Sequence, residues 1–423
     1  MTPAVAEPAP AAHRPHARRD IRLFWCAGTC DALGSQASGL VLPLLLIGLG
    51  RSPAEVGTIA GLSAAVTLVL GPLAAVPADR GARQRVMVGA ALVGAAAMGC
   101  VAGAVWAGRV SMALLLTAVL VERCATACYE AASLGTVALV CPPTEHRRVL
   151  SRLQAGERGA LLLGPALGGL LFQAGRWLPF LADAVSYAVA AGCVRAMRTD
   201  LSAPGERRPE AAARRRPGWR ALVAEAGAGL ALVRRTPFLR LALVWVSVVN
   251  ALLVALYYAT VFALQGAGRA AELGLLLALS GAAGLAGSLL APRLAGRHSA
   301  RAVLVAVSWL MVPPAAALVM ARQIWQYGLL FGLLCALTPL ATVALQARIL
   351  QLTPPALQAR TGTVLATAAG TLAALAPVLA GLSAGRAGSR ATFLGCAALL
   401  AGLALYATTA APDRTHGTVQ GQA

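Results

Sequence analysis

The chain has 423 residues, 58% of them hydrophobic and only 12% charged, with a mean hydropathy of +0.71. Water-soluble chains are about 45–50% apolar and about 25% charged, so a string of soluble domains is excluded. The net charge of +20, from 36 basic and 16 acidic residues, would suggest nucleic acid in a soluble chain, but in one this apolar it points to a membrane whose inner loops collect positive charge.

A helix needs about 20 apolar residues to cross a bilayer. The sequence predicts twelve such spans, at about 22–49, 55–78, 84–106, 110–140, 151–173, 178–197, 238–264, 271–292, 301–321, 323–347, 360–384 and 389–410. The breaks are short and hold Gly, Arg or Pro, as in Gly50-Arg51-Ser52-Pro53, Gly108-Arg109, Gly175-Arg176 and Gly385-Arg386. Residues 1–21 and 411–423 read as cytoplasmic tails, the first disordered and Pro/Ala-rich. Residues 22–198 and 237–410 form two six-helix bundles, joined by a polar linker at 199–236. Within that linker Trp219, Leu222, Val223, Ala226, Leu230 and Val233 recur at helical spacing, which predicts an amphipathic helix on the inner surface.

Every basic side chain other than histidine is Arg, and no Lys occurs. With both termini inside, 28 of the 36 Arg fall on cytoplasmic segments, seven fall on outside loops, and Arg123 lies within a span. That asymmetry follows the positive-inside rule and accounts for the net charge without a nucleic-acid partner. The Lys-free, Arg-rich composition fits a high-GC bacterial genome, hence the bacterial cytoplasmic membrane. The five His are scattered in loops and tails, and the nine Cys show no ligand spacing with them. No metal, cofactor or enzymatic chemistry is expected. A phosphate-binding Gly-x-x-x-x-Gly-Lys-Ser/Thr loop is absent, which disfavours direct ATP coupling by this chain.

The halves resemble each other. Gly71-Pro72-Leu73-Ala74-Ala75 followed by Arg85 matches Gly287-Ser288-Leu289-Leu290-Ala291 followed by Arg301 at an offset of 216 residues. Leu163-Gly164-Pro165-Ala166-Leu167-Gly168-Gly169 matches Leu375-Ala376-Pro377-Val378-Leu379-Ala380-Gly381 at an offset of 212. Duplicated six-span halves around a midplane site are a transporter architecture.

These residues carry a resemblance to the major facilitator superfamily across the whole chain, and within it to the exporter branch of enterobactin-exporter and macrolide-efflux type. The loop after span two, with Asp79, Arg80, Arg83 and Arg85, is similar to the family's signature loop, with Ala75 where a Gly is usual and Gln84 inside the basic cluster. Gly164, Pro165, Gly168 and Gly169 resemble the span-five exporter motif, with Ala160 at one expected upstream Gly. Leu181-Ala182-Asp183-Ala184-Val185-Ser186-Tyr187 resembles a span-six pattern, and Arg348, Gln351, Pro354-Pro355 and Arg360 resemble the span-ten to span-eleven loop. The resemblance implies an all-α membrane fold of twelve transmembrane helices in two pseudo-symmetric bundles. It also implies that Asp79 faces the start of span eleven, near Arg360-Thr361, and latches the cytoplasmic side.

Ionisable groups at membrane depth are costly and mark functional positions. Those in the spans are Asp31, Glu122, Arg123, Glu130 and Asp183, all in the first half, with Glu157 and Arg158 near the inner end of span five. Asp31, Glu122, Arg123 and Glu130 are the proton-coupling candidates. Glu122, Thr126, Tyr129, Glu130 and Ser133 recur at three- and four-residue steps, which puts them on one helix face. Substrate-cavity candidates are Gln36, Tyr129, Asn250 and Tyr257, with Tyr258 and Trp245 nearby. The expected activity is alternating-access export of a small amphipathic molecule in exchange for protons, by a monomer embedded in lipid. An importer or facilitator of the same superfamily is the alternative.

Overall fold

The computed structural model describes residues 17–77, 83–134, 136–141, 145–199, 201, 227, 229–264, 270–295, 298–354 and 357–409. Among them the regular elements are all helical: α1 (Ala17–Gly48), α2 (Pro53–Pro77), α3 (Arg83–Trp106), α4 (Met112–Leu134), α5 (Val137–Val140), α6 (His146–Ala174), α7 (Leu178–Arg195), α8 (Pro237–Ala263), α9 (Ala270–Ala295), α10 (Ala300–Ala317), α11 (Ile324–Leu352) and α12 (Gln358–Thr409). Nine helices among the described residues are long and apolar enough to cross a membrane. Each of the twelve predicted spans falls largely within a helix.

Local chemistry explains the helix ends. Ser299 accepts from the Ala302 N–H at the start of α10, and Gln323 and Gln326 form a reciprocal capping box at the start of α11. Ser52 and Glu55 do the same at α2, where Glu55 Oε2 accepts from the Ser52 N–H at 2.8 Å. Three glycines, Gly50, Gly108 and Gly388, have positive φ (78°, 66° and 75°), which lets the chain reverse or kink where a side chain would be strained. α12 therefore holds the last two predicted spans as two helices that break at Gly388, where Ser383 and Thr392 on either side come within 2.6 Å of each other.

One predicted span is corrected. The sequence predicts a continuous helix over 110–140, but α4 ends at Leu134 and α5 begins at Val137. Thr136, fully buried, turns the chain: its hydroxyl donates to the Ala132 carbonyl at 3.1 Å, and its own carbonyl accepts from Leu139 and Val140. A threonine that bonds back to the preceding turn while opening a new one offers the backbone an alternative to straight helix.

The chain forms two compact units, one of Met1–Ser38, Val69–Gly164 and Gly175–Arg207, the other of Gly39–Leu68, Pro165–Ala174 and Arg208–Ala423. In the first, α3 packs against α4 and α7. Its core gathers Ile21, Phe24, Met87, Ala132, Val149 and Val194. Two polar side chains close its edge. Asp20, fully buried, accepts from the backbone N–H groups of Arg198 and Thr199 and from the Thr199 hydroxyl at 2.6 Å. Gln84 donates to the Val194 carbonyl at 3.0 Å. Gln84, one of the two departures from the signature loop that the sequence resembles, thus satisfies a carbonyl at the end of α7.

In the second unit α8 packs on α12, α9 on α11, and α10 on both α11 and α12. Trp245 is buried and donates its indole N–H to Ser308 Oγ at 2.9 Å, tying α8 to α10. Most of the predicted amphipathic linker helix lies outside the described residues, but 229–235 are helical and Gly229 lies against the backbone of Arg360 and Thr361.

Four glycines set a matched pair of close helix contacts in this unit. Gly57 of α2 meets the Pro377 carbonyl of α12, and Gly381 of α12 meets the Pro53 carbonyl of α2. Gly274 of α9 meets the Pro165 carbonyl of α6, and Gly169 of α6 meets the Ala270 carbonyl of α9. The second pair reproduces the first: Pro165 and Gly169 become Pro377 and Gly381 after 212 residues, and Pro53 and Gly57 become Ala270 and Gly274 after 217. The internal repeat is a repeat of contacts. A side chain at Gly57 or Gly274 would drive into backbone that cannot move aside, and overpacking of this kind costs about 1–3 kcal/mol. Gly57→Leu and Gly274→Leu should therefore each lower the thermal midpoint of the detergent-purified protein by several degrees. Gly103→Leu, with open space around its Cα, should leave the midpoint unchanged.

Candidate functional site

The ionisable groups of the first unit meet where α1, α4 and α7 come together. α4 contributes its polar face. Glu122 is 2% exposed, and its two oxygens are fully engaged. Oε2 accepts from Arg123 Nε at 2.6 Å, and Oε1 accepts from the Tyr187 hydroxyl at 2.6 Å and from Thr126 Oγ1 at 3.0 Å. Tyr187 also lies 3.0 Å from Thr126 Oγ1 and 3.2 Å from Ser35 Oγ. With the tyrosine proton on Glu122, Ser35 is left to donate to the phenol oxygen. Gly94 of α3 clears the space for this ring: a Cβ there would stand 3.3 Å from three of its carbons.

α7 contributes Asp183, completely buried. Ser38 donates to Asp183 Oδ2 at 2.6 Å, while Ser186 donates to the Asp183 backbone carbonyl at 2.8 Å. Gly34 of α1 makes this approach possible, because a Cβ on it would lie 2.6 Å from Asp183 Oδ1. Asp183 has hydroxyl neighbours and, among the described residues, no ion-pair partner. Arg123, whose guanidinium lies among these groups, is held by its neighbour Glu122.

α1 contributes Asp31, half-buried, whose Oδ1 is shielded and has no hydrogen-bond partner. Tyr129 is 6% exposed and its hydroxyl also lacks a partner. The two are electrostatic neighbours. Glu130 is exposed, with Arg123 and Glu157 as its charged neighbours. Among the described residues no cluster of three or more His, Cys, Asp or Glu could hold a metal ion.

The predicted site residues thus divide. Asp31, Glu122, Arg123, Tyr129 and Glu130 fall in one region of the first unit. Gln36 is beside them on α1, and its Cβ packs on Gly164. The span-five motif is split by role: Gly164 packs on α1, whereas Pro165 and Gly169 belong to the glycine contacts of the second unit, and Gly168 is buried. Asn250 is exposed on α8 and Tyr257 is half-buried, stacked edge-on against Tyr258 at 5.0 Å, both in the second unit. Asp79 and Arg80 lie outside the described residues, while Arg83 is the half-buried first residue of α3 and Arg85 is exposed. Sequence reasoning missed Tyr187 and Ser38 as partners of the carboxylates. The signal was the span-six pattern itself, since Asp183 and Tyr187 lie four apart and share a helix face.

Residues 24–269 match the family described as the Major Facilitator Superfamily, more than half of the chain. The chain belongs to the major facilitator superfamily. No curated protein matches it by sequence. Its fold is similar to that of a bacterial homolog of the human lysosomal transporter Spinster in an inward-facing, unoccupied conformation, with TM-score 0.70 at 14% identity over 94% of this chain and 96% of that one. It is similar to the nucleoside transporter NupG, with TM-score 0.70 at 12% identity over 93% and 99%. It is also similar to a bacterial homologue of the iron transporter ferroportin in an inward-facing state, with TM-score 0.65 at 17% identity over 93% and 99%. The chain is a multi-pass membrane transporter and not an enzyme.

The Tyr187–Glu122 bond is testable on stability alone. Tyr187→Phe keeps the ring against Gly94 but removes one donor from a buried carboxylate, at a cost of about 1–3 kcal/mol. The variant should insert normally and unfold several degrees below the parent in a detergent thermal melt. An unchanged midpoint would show that the bond contributes nothing.

Proposed function

We propose that this transporter is a secondary exporter of the bacterial cytoplasmic membrane, moving a small amphipathic molecule outward in exchange for protons. The observation that carries the reading is the set of carboxylates buried in the first unit with one arginine among them. Asp183 has hydroxyl partners only, and Asp31 has an oxygen with no partner. A carboxyl group out of water and without a counter-ion is a place where a proton is taken up or given back as water access changes. The second half has no carboxylate within its described spans except Glu272, in the first turn of α9. The proton route is therefore assigned to the first half.

The energy is sufficient. One proton moved down 100 mV releases about 2.3 kcal/mol, enough to sustain a substrate gradient of about fortyfold. The export direction rests on the resemblance of the span-five motif to the exporter branch. The placement of both termini in the cytoplasm rests on the arginine asymmetry. The loop carrying Asp79 and Arg80 is assigned a conformational role, and the chain is taken to work as a monomer of two six-helix bundles.

The test uses inverted membrane vesicles with a pH-gradient dye. Addition of a transported antibiotic or dye from an amphipathic panel should partly collapse an inside-acid gradient. Asp31→Asn and Glu122→Gln should each reduce that response at least several-fold at equal protein level. Normal responses from both variants would overturn the carboxylate assignment. Substrate movement that ignores the gradient would favour the facilitator reading.

A further inference from the structure

The charge balance of the first unit selects among substrates. From α1 the site is faced by Asp31, from α4 by Glu122, Arg123 and Glu130, from α6 by the exposed Glu157, and from α7 by Asp183. The phenols of Tyr129 and Tyr187 and the thiols of Cys26, Cys30 and Cys193 are the neutral titratable neighbours. α3 adds no charged side chain beyond Arg83 and Arg85 in its first turn. Among the described residues the guanidinium that acts on these carboxylates is that of Arg123, and Glu122 holds it at 2.6 Å.

Two buried polar atoms in the same place have no partner, Asp31 Oδ1 and the Tyr129 hydroxyl. Tyr129 is more than nine-tenths buried, and Asp31 is its electrostatic neighbour. A carboxylate oxygen can only accept, and a phenol oxygen can accept as well as donate. An unpartnered buried acceptor is costly, so it marks the position of a missing donor. A ligand carrying N–H groups and a positive charge meets both conditions: it supplies donors, and it balances the excess of carboxylates. An anion would meet unscreened like charge, and a neutral apolar molecule would leave both acceptors bare.

We propose that the α1–α4–α7 site binds a protonated organic amine through Asp31 and Tyr129, in competition with protons taken up by Asp31 and Asp183. The inference deepens the exporter reading and rests on it for the direction of movement. The amine and the proton share Asp31, so occupancy of that carboxylate by one excludes the other. That exclusion is what exchange requires.

The test is an equilibrium binding titration on the full chain in lipid nanodiscs, with empty nanodiscs subtracted. The probes are 4-phenylbutylamine, 4-phenylbutanol and 4-phenylbutyrate, which share one tail and differ in charge. The amine should bind, and the alcohol and the acid should bind at least about tenfold more weakly. One competing proton weakens the amine by up to about tenfold per pH unit below the carboxyl group's titration, so affinity should fall as pH is lowered through that titration. Asp31→Asn should abolish that pH dependence in part and weaken the amine about tenfold. Tyr129→Phe keeps the ring and removes an oxygen that has no partner, so it should fold normally and weaken the amine several-fold. Binding of the acid as tightly as the amine would overturn the proposal. So would amine binding indifferent to both Asp31→Asn and Tyr129→Phe. Displacement of the amine by sodium but not by choline would replace it with an inorganic cation site. Because no gradient is present, amine binding without gradient-driven flux in vesicles would remove the exporter reading and leave this one. Gradient-driven flux of an acid without amine binding would do the reverse.

Discussion

A polar group that enters the spans of this protein is costly unless it finds a partner inside the protein, because lipid offers none. Glu122 shows the constraint most clearly. Its two oxygens draw in an arginine, a tyrosine and a threonine, and those contacts set how α4 and α7 face each other. Tyr187 then recruits Ser35 of α1, and Asp183 recruits Ser38. The helices are held in register by a short chain of hydroxyl groups around carboxylates, in a bundle whose apolar side chains would tolerate many other rotations. Hydrophobic burial does not specify rotation between helices in lipid, since tails and leucines are equally apolar.

The second constraint is closeness. Gly34 and Gly94 admit the polar side chains of α7 to their partners, and the glycines at 57, 169, 274 and 381 let helix backbones touch. The same device serves opposite purposes in the two units. In the first it brings carboxylates to hydroxyls, and in the second it packs backbone on backbone with no polar group at stake. The second use is repeated almost residue for residue by the duplicated halves, whereas among the described spans the carboxylates lie in the first half apart from Glu272 in the first turn of α9. A duplicated scaffold with an unduplicated charge set is what a carrier needs if both halves move but one half senses the proton.

Much of this was legible in the chain. The twelve apolar stretches, the repeat, and the polar face of α4 follow from composition and from three- and four-residue spacing, which are local properties. The turn at Thr136 was hidden because its flanks are as apolar as a continuous span. Gln84 read as a departure from the family loop, and its use as a partner for the end of α7 required the fold. The glycine contacts were hidden too: with 44 glycines in the sequence, nothing local distinguishes Gly57 from Gly103, although one touches a carbonyl and the other touches nothing.

The candidate site divides the same way. Sequence alone determined that the first half carries its charges at membrane depth, since a charged residue inside an apolar run is visible wherever it folds. It could not determine which carboxylate is paired. Glu122 and Tyr187 are 65 residues apart, and Ser38 and Asp183 are 145 apart. The Arg123–Glu122 pair is local, between sequence neighbours, but only helix packing decided that Tyr187 joins it, that Asp183 is left with hydroxyl groups, and that Asp31 and Tyr129 are left with unpartnered oxygens. The reason is physical: insertion into lipid depends on the sum of side chains along one helix, whereas satisfaction of a buried polar atom depends on which residue of another helix comes within about 3 Å of it.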